Sequence, residues 1–257
     1  MTPAPAPRLI AFDLDDTLAP SKSALDPQMA DTFADLLRAV PVAVISGGNF
    51  QQFEQQLVNP LRNRSGLRLD DFHLLPTCGT RYYRWQGDDW KQQYAEDLTD
   101  DEKKRALEAV EAQAKEAGYW ESKTWGPILE DRGSQITFSA LGQAAPVDAK
   151  KQWDPKGVKK DDLRRRVQAL LPDLEVRSGG STSVDITRKG IDKAYGMKRL
   201  AEITGIPLDD MLFVGDRLDP EGNDYPVKAL GVKCHAVEGW EDTEKFLRDL
   251  IPTLASK

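Results

Sequence analysis

Leu9-Ile10-Ala11-Phe12-Asp13-Leu14-Asp15-Asp16-Thr17-Leu18 is the stretch on which the fold turns. Four apolar residues run unbroken into an aspartate, the pattern of a buried parallel strand that empties into a loop. Downstream, Asp26 and Pro27 supply an N-cap and a first-turn proline, and Met29, Phe33, Leu36, Leu37 and Val40 recur at helical spacing. Val42–Ile45 are a second apolar run, ending in Ser46-Gly47-Gly48, and Asn49 can cap a helix carrying Phe50, Phe53 and Leu57.

The same alternation returns near the end of the chain. Residues 191–204 read as helix, 211–214 as a strand stopping at Gly215-Asp216, 223–230 as helix, 232–237 as strand and 241–250 as a closing helix. The middle differs. Residues 81–94 suggest a hairpin around Gln86-Gly87-Asp88-Asp89, and Thr99 with Glu102 forms a capping box ahead of a helix reaching about 117. Ile136, Phe138 and Ala140, then Val184 and Ile186, alternate with polar residues as half-exposed, antiparallel strands do. The expected fold is α/β, a Rossmann-like three-layer core with a parallel sheet over residues 1–80 and 184–257, plus an inserted α+β domain over 81–183.

At 257 residues, 40% hydrophobic and 30% charged, the chain has the composition of a packed two-domain protein. A net charge of -7 argues against a nucleic-acid partner, and the basic stretch from Lys150 to Arg166 is interspersed with Asp154, Asp161 and Asp162, as on a solvated helix face. Cys78 and Cys234 suggest neither a disulfide framework nor a zinc site, and His73 and His235 read as packing or surface residues. No apolar run approaches the roughly 20 residues that span a bilayer, so a cytoplasmic address is expected, and residues 1–8 read as a short disordered lead.

Three segments put acidic or phosphate-friendly residues just past the ends of expected parallel strands, where open α/β sheets bind ligands. They are Asp13-Leu14-Asp15-Asp16-Thr17, Ser46-Gly47-Gly48 and Gly215-Asp216. Singly, each is an ordinary acidic turn or Ser-Gly loop, and Asp16, Thr17 and Asp219 are read as turn or capping residues. Together they share one sheet edge.

In these stretches the chain resembles the haloacid dehalogenase superfamily, whose four motifs appear in order as FDLDDTL at 12–18, ISGG at 45–48, KGIDK at 189–193 and VGDRLDPEGND at 214–224. The resemblance implies a Mg2+-dependent phosphoryl-transfer enzyme. It makes Asp13 nucleophile and metal ligand, and Asp15 a metal ligand through its carbonyl and general acid, then base, through its side chain. Asp216 and Asp224 complete the metal's carboxylates, with Asn223 orienting them. Ser46 and the Gly47 amide would bind phosphate oxygens, and Lys193, rather than the competing Lys189, would balance charge.

An insert between the second and third motifs is similar to the cap of the superfamily's type IIB branch, and within it the chain looks most like the phosphomannomutases. SGGNFQQFEQQL at 46–57, RGSQITFSALGQ at 132–143 and SGGSTSVDITRKGIDK at 178–193 carry that likeness. It implies that Arg132 binds substrate phosphate, that Ser183 and Asp185 hold sugar hydroxyls, and that Lys22 also faces substrate. Where those mutases use further arginines, this chain has Lys22, Gln143 and Lys150. Lysine and glutamine lack the bidentate fork that grips a second phosphate, which favours simple hydrolysis. The expected function is a Mg2+-dependent phosphohydrolase acting on a small phosphorylated sugar or polyol, as monomer or homodimer. The alternatives are a phosphomannomutase-like intramolecular phosphotransferase and a non-catalytic sugar-phosphate-binding module.

Overall fold

The computed structural model describes residues 6–179 and 181–254, so residues 1–5 of the expected disordered lead lie outside it. The strands among these residues are, in chain order, β1 (Leu9–Phe12), β2 (Val42–Ile45), β3 (Phe72–Leu75), β4 (Arg81–Gln86), β5 (Asp89–Ala95) and β6 (Leu129–Asp131). They continue as β7 (Gln135–Ser139), β8 (Leu174–Ser178), β9 (Ser183–Arg188), β10 (Met211–Gly215) and β11 (Lys233–Ala236). The chain divides into two compact units, one running to Tyr94 and resuming at Asp192, the other spanning Ala95–Ile191.

The larger unit holds a seven-stranded sheet in the order β11-β10-β1-β2-β3-β4-β5. The strands from β11 to β3 pair in parallel, and β4 turns back against β3. Every residue of β1, β2 and β3 is buried, which is why the parallel strands read as unbroken apolar runs. Ile10, Phe12, Val42 and Val44 pack with Phe33, Leu36 and Leu247 of helices Pro27–Ala39 and Trp240–Leu254. Leu9, Ala11, Ala43 and Ile45 belong to a second core with Met197 and Leu200 of helix Lys193–Thr204. This is an α/β sheet covered on both faces. Phe33 meets Phe12 and Phe72 edge-on at 5.6 and 5.8 Å, and truncating so buried a ring costs about 3–5 kcal/mol.

Register sets the site edge. Phe12 stands opposite Val44 on one side and Val214 on the other, so β1, β2 and β10 end level, and the loops beyond them begin at Asp13, Ser46 and Asp216. The helix after β2 opens with an Asn49–Gln52 capping box at Phe50–Phe53, then widens into a π-helical turn over Glu54–Val58 before Asn59–Leu61. A plain helix was the expectation there.

The smaller unit carries an antiparallel sheet in the order β6-β7-β9-β8. Ile136, Phe138, Val176, Val184 and Ile186 form a core with Ala106 and Val110 of helix Asp100–Glu116 and with Leu163 and Val167 of helix Val158–Leu170. On the latter helix Arg164 and Arg165 pair with Asp161, and Arg166 with Asp162, as a solvated charged face should.

Two expectations are corrected. The hairpin β4–β5 extends the main sheet instead of opening the insert, while β9 lies in the small sheet, so the boundaries drawn at 81 and 183 fall at 95 and 191. A hairpin is local, but the sheet it joins is a long-range choice. The polar faces expected to be half-exposed are also largely buried: Gln135, Thr137 and Ser139 are at most 2% exposed, on a strand flanked by neighbours on both sides.

Candidate active site

Asp13 follows directly on β1, its amide donating to the Val214 carbonyl at 3.0 Å, so the sheet itself fixes the backbone of Asp13. Lys193 is the first residue of its helix, which Asp192 caps by accepting from the Tyr195 amide. That start delivers a lysine 1% exposed to the sheet edge, with Nζ 2.7 Å from Asp13 Oδ1 and 2.5 Å from Asp224 Oδ1. Lys189, the rival in the same motif, is exposed.

Asp224 is fully buried, and its other oxygen accepts from the Arg217 amide at 3.0 Å. Gly215 leaves room for it, since a Cβ there would collide with Asp224 Oδ2. Asp216 is held by Thr17, whose hydroxyl donates to Asp216 Oδ1 at 3.3 Å and accepts from the Asp216 amide at 3.1 Å. One oxygen from each of Asp13, Asp216 and Asp224 lies within 4.8 Å of the others.

The electrostatics follow from three carboxylates sharing one ammonium. Burial, against the pull of Lys193 and with the help of Asp224 and Asp216, pushes the Asp13 carboxyl well up. Burial and then Asp224 push Asp216 up as well. For Lys193 burial works against the charge, but Asp13 and Asp224 outweigh it and hold the ammonium protonated. The cluster therefore keeps an excess of negative charge that a further cation would neutralise, and its all-oxygen donor set suits a hard divalent ion.

Asp15 stands apart from that cluster. Its Oδ1 accepts from the Lys22 amide at 2.7 Å and from the Gln56 side-chain amide at 3.0 Å. Lys22 sits in the left-handed backbone region at φ 59, as a tight loop requires. Ser46 is buried, its hydroxyl accepting from the Gly48 amide at 3.2 Å and its carbonyl from Cys78 at 2.9 Å. Beside Gly47 the space a Cβ would take is open, which leaves room for a ligand's approach.

The other expected residues lie in the smaller unit. Arg132, whose side chain is 6% exposed, pairs with Glu130 at 2.6 Å. Asp185 accepts from Thr137 at 2.7 Å, and Thr137 in turn from the Gln135 amide at 2.8 Å. Ser183 faces Ser139 across the β7–β9 pair, two residues from Asp185 and on the same face. Lys150 donates to the Gln143 carbonyl at 2.8 Å. Thr17 and Gln56 are the residues that sequence reasoning missed. Both lie inside quoted stretches, but nothing short of burial singles Gln56 out from the glutamines beside it.

A family model for eukaryotic phosphomannomutases matches residues 29–253. A probable phosphomannomutase of Caenorhabditis elegans is 25% identical, with 98% of this chain and 99% of that protein aligned. The phosphomannomutase of Saccharomyces cerevisiae is also 25% identical, over 94% and 93%. Among solved structures, a haloacid dehalogenase-like hydrolase from Bacteroides thetaiotaomicron superposes with a TM-score of 0.60 at 15% identity, covering 95% of this chain and 99% of that one. An IMP-nucleotidase from Plasmodium falciparum does so with a TM-score of 0.69 at 13% identity, covering 96% and 68%. At such identities the structural likeness speaks for the fold. The family model begins after the first motif, so Asp13 and Asp15 lie outside the residues it matches.

Proposed function

Because this chain belongs to the eukaryotic phosphomannomutase family, we propose that it moves the phosphoryl group of a small sugar or polyol phosphate onto Asp13 and then onto water. The observation that carries this reading is the meeting of remote motifs: Lys193 bridges Asp13 and Asp224, with Asp216 beside them, at the ends of β1 and β10.

Asp13, Asp216, Asp224 and the Asp15 carbonyl would hold Mg2+, which when bound neutralises phosphate oxygens that would otherwise repel a carboxylate nucleophile. Lys193 keeps the Asp13 carboxylate turned toward the sheet edge and offsets part of its charge. Ser46 and the Gly47 amide hold phosphate oxygens. Asp13 attacks phosphorus as the ester oxygen leaves, taking a proton from Asp15. Water then attacks the aspartyl phosphate and returns a proton to Asp15, releasing inorganic phosphate and restoring both carboxyls. By the resemblance, Arg132, Ser183, Asp185 and Lys22 are the residues proposed to contact substrate.

Mg2+ binding needs deprotonated ligands, and Asp13 and Asp216 are pushed up by burial. The thermal stabilisation given by Mg2+ should therefore grow as pH rises.

A second reading is favoured by the family match itself, which spans most of the chain. The phosphoryl group would return to another hydroxyl of the same sugar. Lys22, Gln143 and Lys150 favour hydrolysis over it, since none offers a guanidinium to a second phosphate. Mannose 1-phosphate with a catalytic amount of a hexose bisphosphate separates the two: free phosphate supports hydrolysis, mannose 6-phosphate the mutase. No Mg2+-dependent turnover of any sugar phosphate would sink both and leave a binding module.

A further inference from the structure

Of the four glutamines in the run Gln51-Gln52-Phe53-Glu54-Gln55-Gln56, only Gln56 is buried, at 3% exposure, and it lies in the π-helical turn Glu54–Val58. Such turns widen a helix by one residue and recur at functional sites. Its side-chain nitrogen donates twice, to Asp15 Oδ1 at 3.0 Å and to the Ser23 carbonyl at 3.1 Å. Both partners are acceptors, so the amide can be oriented only with its NH2 toward Asp15. The Lys22 amide donates to the same carboxylate oxygen at 2.7 Å.

Resting on the reading above, we propose that Gln56 is a positioning residue for Asp15, pinning Oδ1 so that Oδ2 is the oxygen that gives and takes the proton. Two hydrogen bonds on Oδ1 fix the rotation of the carboxyl group, and among the described residues none donates to Oδ2. A carboxyl that must act as acid in one step and base in the next needs one oxygen held facing the same point through both. The Gln56 carbonyl accepts from the Leu25 amide at 2.9 Å, a backbone bond that survives any change of side chain.

Gln56→Met keeps the bulk and removes both donors. With mannose 1-phosphate and Mg2+, kcat should fall about 10- to 100-fold while KM changes less than about threefold. p-Nitrophenyl phosphate needs no proton to expel its leaving group. On it, Gln56→Met should release a burst of about one equivalent of nitrophenol, as phosphoenzyme forms normally and hydrolyses slowly. In an Asp15→Asn background the same substitution should add nothing. A kcat within twofold of wild type, the absence of a burst, or the same loss repeated on top of Asp15→Asn would overturn the proposal and leave Gln56 as an anchor for the Ser23 loop. Wild-type protein without Mg2+-dependent phosphate release would instead overturn the functional reading, and this proposal with it.

Discussion

At the sheet edge of the larger unit, the polar groups already hold one another. Lys193 bridges Asp13 and Asp224, Thr17 grips Asp216 at both ends, and Gln56 with the Lys22 amide fixes Asp15. On the polar face of the smaller unit's sheet this is only partly so. Gln135, Thr137 and Asp185 form a hydrogen-bonded chain and Arg132 meets Glu130. Ser139 Oγ, on that face, and both polar atoms of the nearby Gln143 amide are buried without a hydrogen-bond partner among the described residues. Chemistry that stabilises developing charge gains from dipoles fixed in advance. Buried polar atoms without partners are what a face completed by a bound molecule or water presents.

The largest test of that contrast is Asp13→Asn. If Asp13 is the nucleophile as proposed, the change should lower kcat by roughly 10⁴-fold or more, measured as phosphate release from a sugar phosphate. Stability at neutral pH should not fall, because burial already disfavours the Asp13 charge. On the smaller unit, Asp185→Asn should act mainly through KM. Equal kcat losses from the two substitutions would erase the distinction.

Next in size is Lys193→Met. It strands two buried carboxylates without their cation and should cost about 3–5 kcal/mol in urea unfolding, part of it recovered on adding Mg2+. Arg132→Met should cost less, since Glu130 is 24% exposed and can return to water. A larger penalty at Arg132 would reverse the order and mark the smaller unit as the more tightly built.

Much of this was legible in the sequence, for a physical reason. A parallel strand covered on both faces writes an unbroken apolar run, and the residue that ends the run is the one delivered to the sheet edge, as with Asp13 and Asp216. Lys193 was legible because a motif fixes its spacing. Gln56 was not: four glutamines look alike until folding buries one of them. Alternation in β7 and β9 marked two faces correctly but carried no information on whether the polar face meets water. Likewise, residues 81–94 announced a hairpin without naming the sheet it would extend.

A third test belongs to the larger unit alone. His73 is 5% exposed, its Nδ1 2.8 Å from the Tyr82 hydroxyl, and burial, followed by the Arg84 charge, lowers its pKa to about 4. As pH falls through the ordinary value near 6.5, the unfolded chain takes a proton that the fold refuses. Stability is therefore lost from there down to about pH 4, by about 3 kcal/mol in all. Asp13 and Asp216, pushed up, work in the opposite sense, so the quantity to read is the difference between wild type and His73→Gln in urea at about pH 7 and about pH 4.5. Parallel pH dependences would show that His73 carries no such load.

The smallest effect is the most discriminating for the contrast itself. Ser139 is fully buried at the end of β7, on its polar face, opposite Ser183 and two pairs along from Thr137 and Asp185. Its hydroxyl has given up water and gained nothing among the described residues, so Ser139→Ala should leave the fold as stable or more so, by up to about 1 kcal/mol. If that hydroxyl is held for a substrate's hydroxyl, the same change should raise KM for a sugar monophosphate by about tenfold, the loss of one hydrogen bond, with kcat little altered. Stability and affinity would then move in opposite directions, a pairing that no purely structural serine produces. Should Ser139→Ala destabilise the protein while KM holds, the hydroxyl serves the fold through a bound water, and the smaller unit is as internally satisfied as the larger.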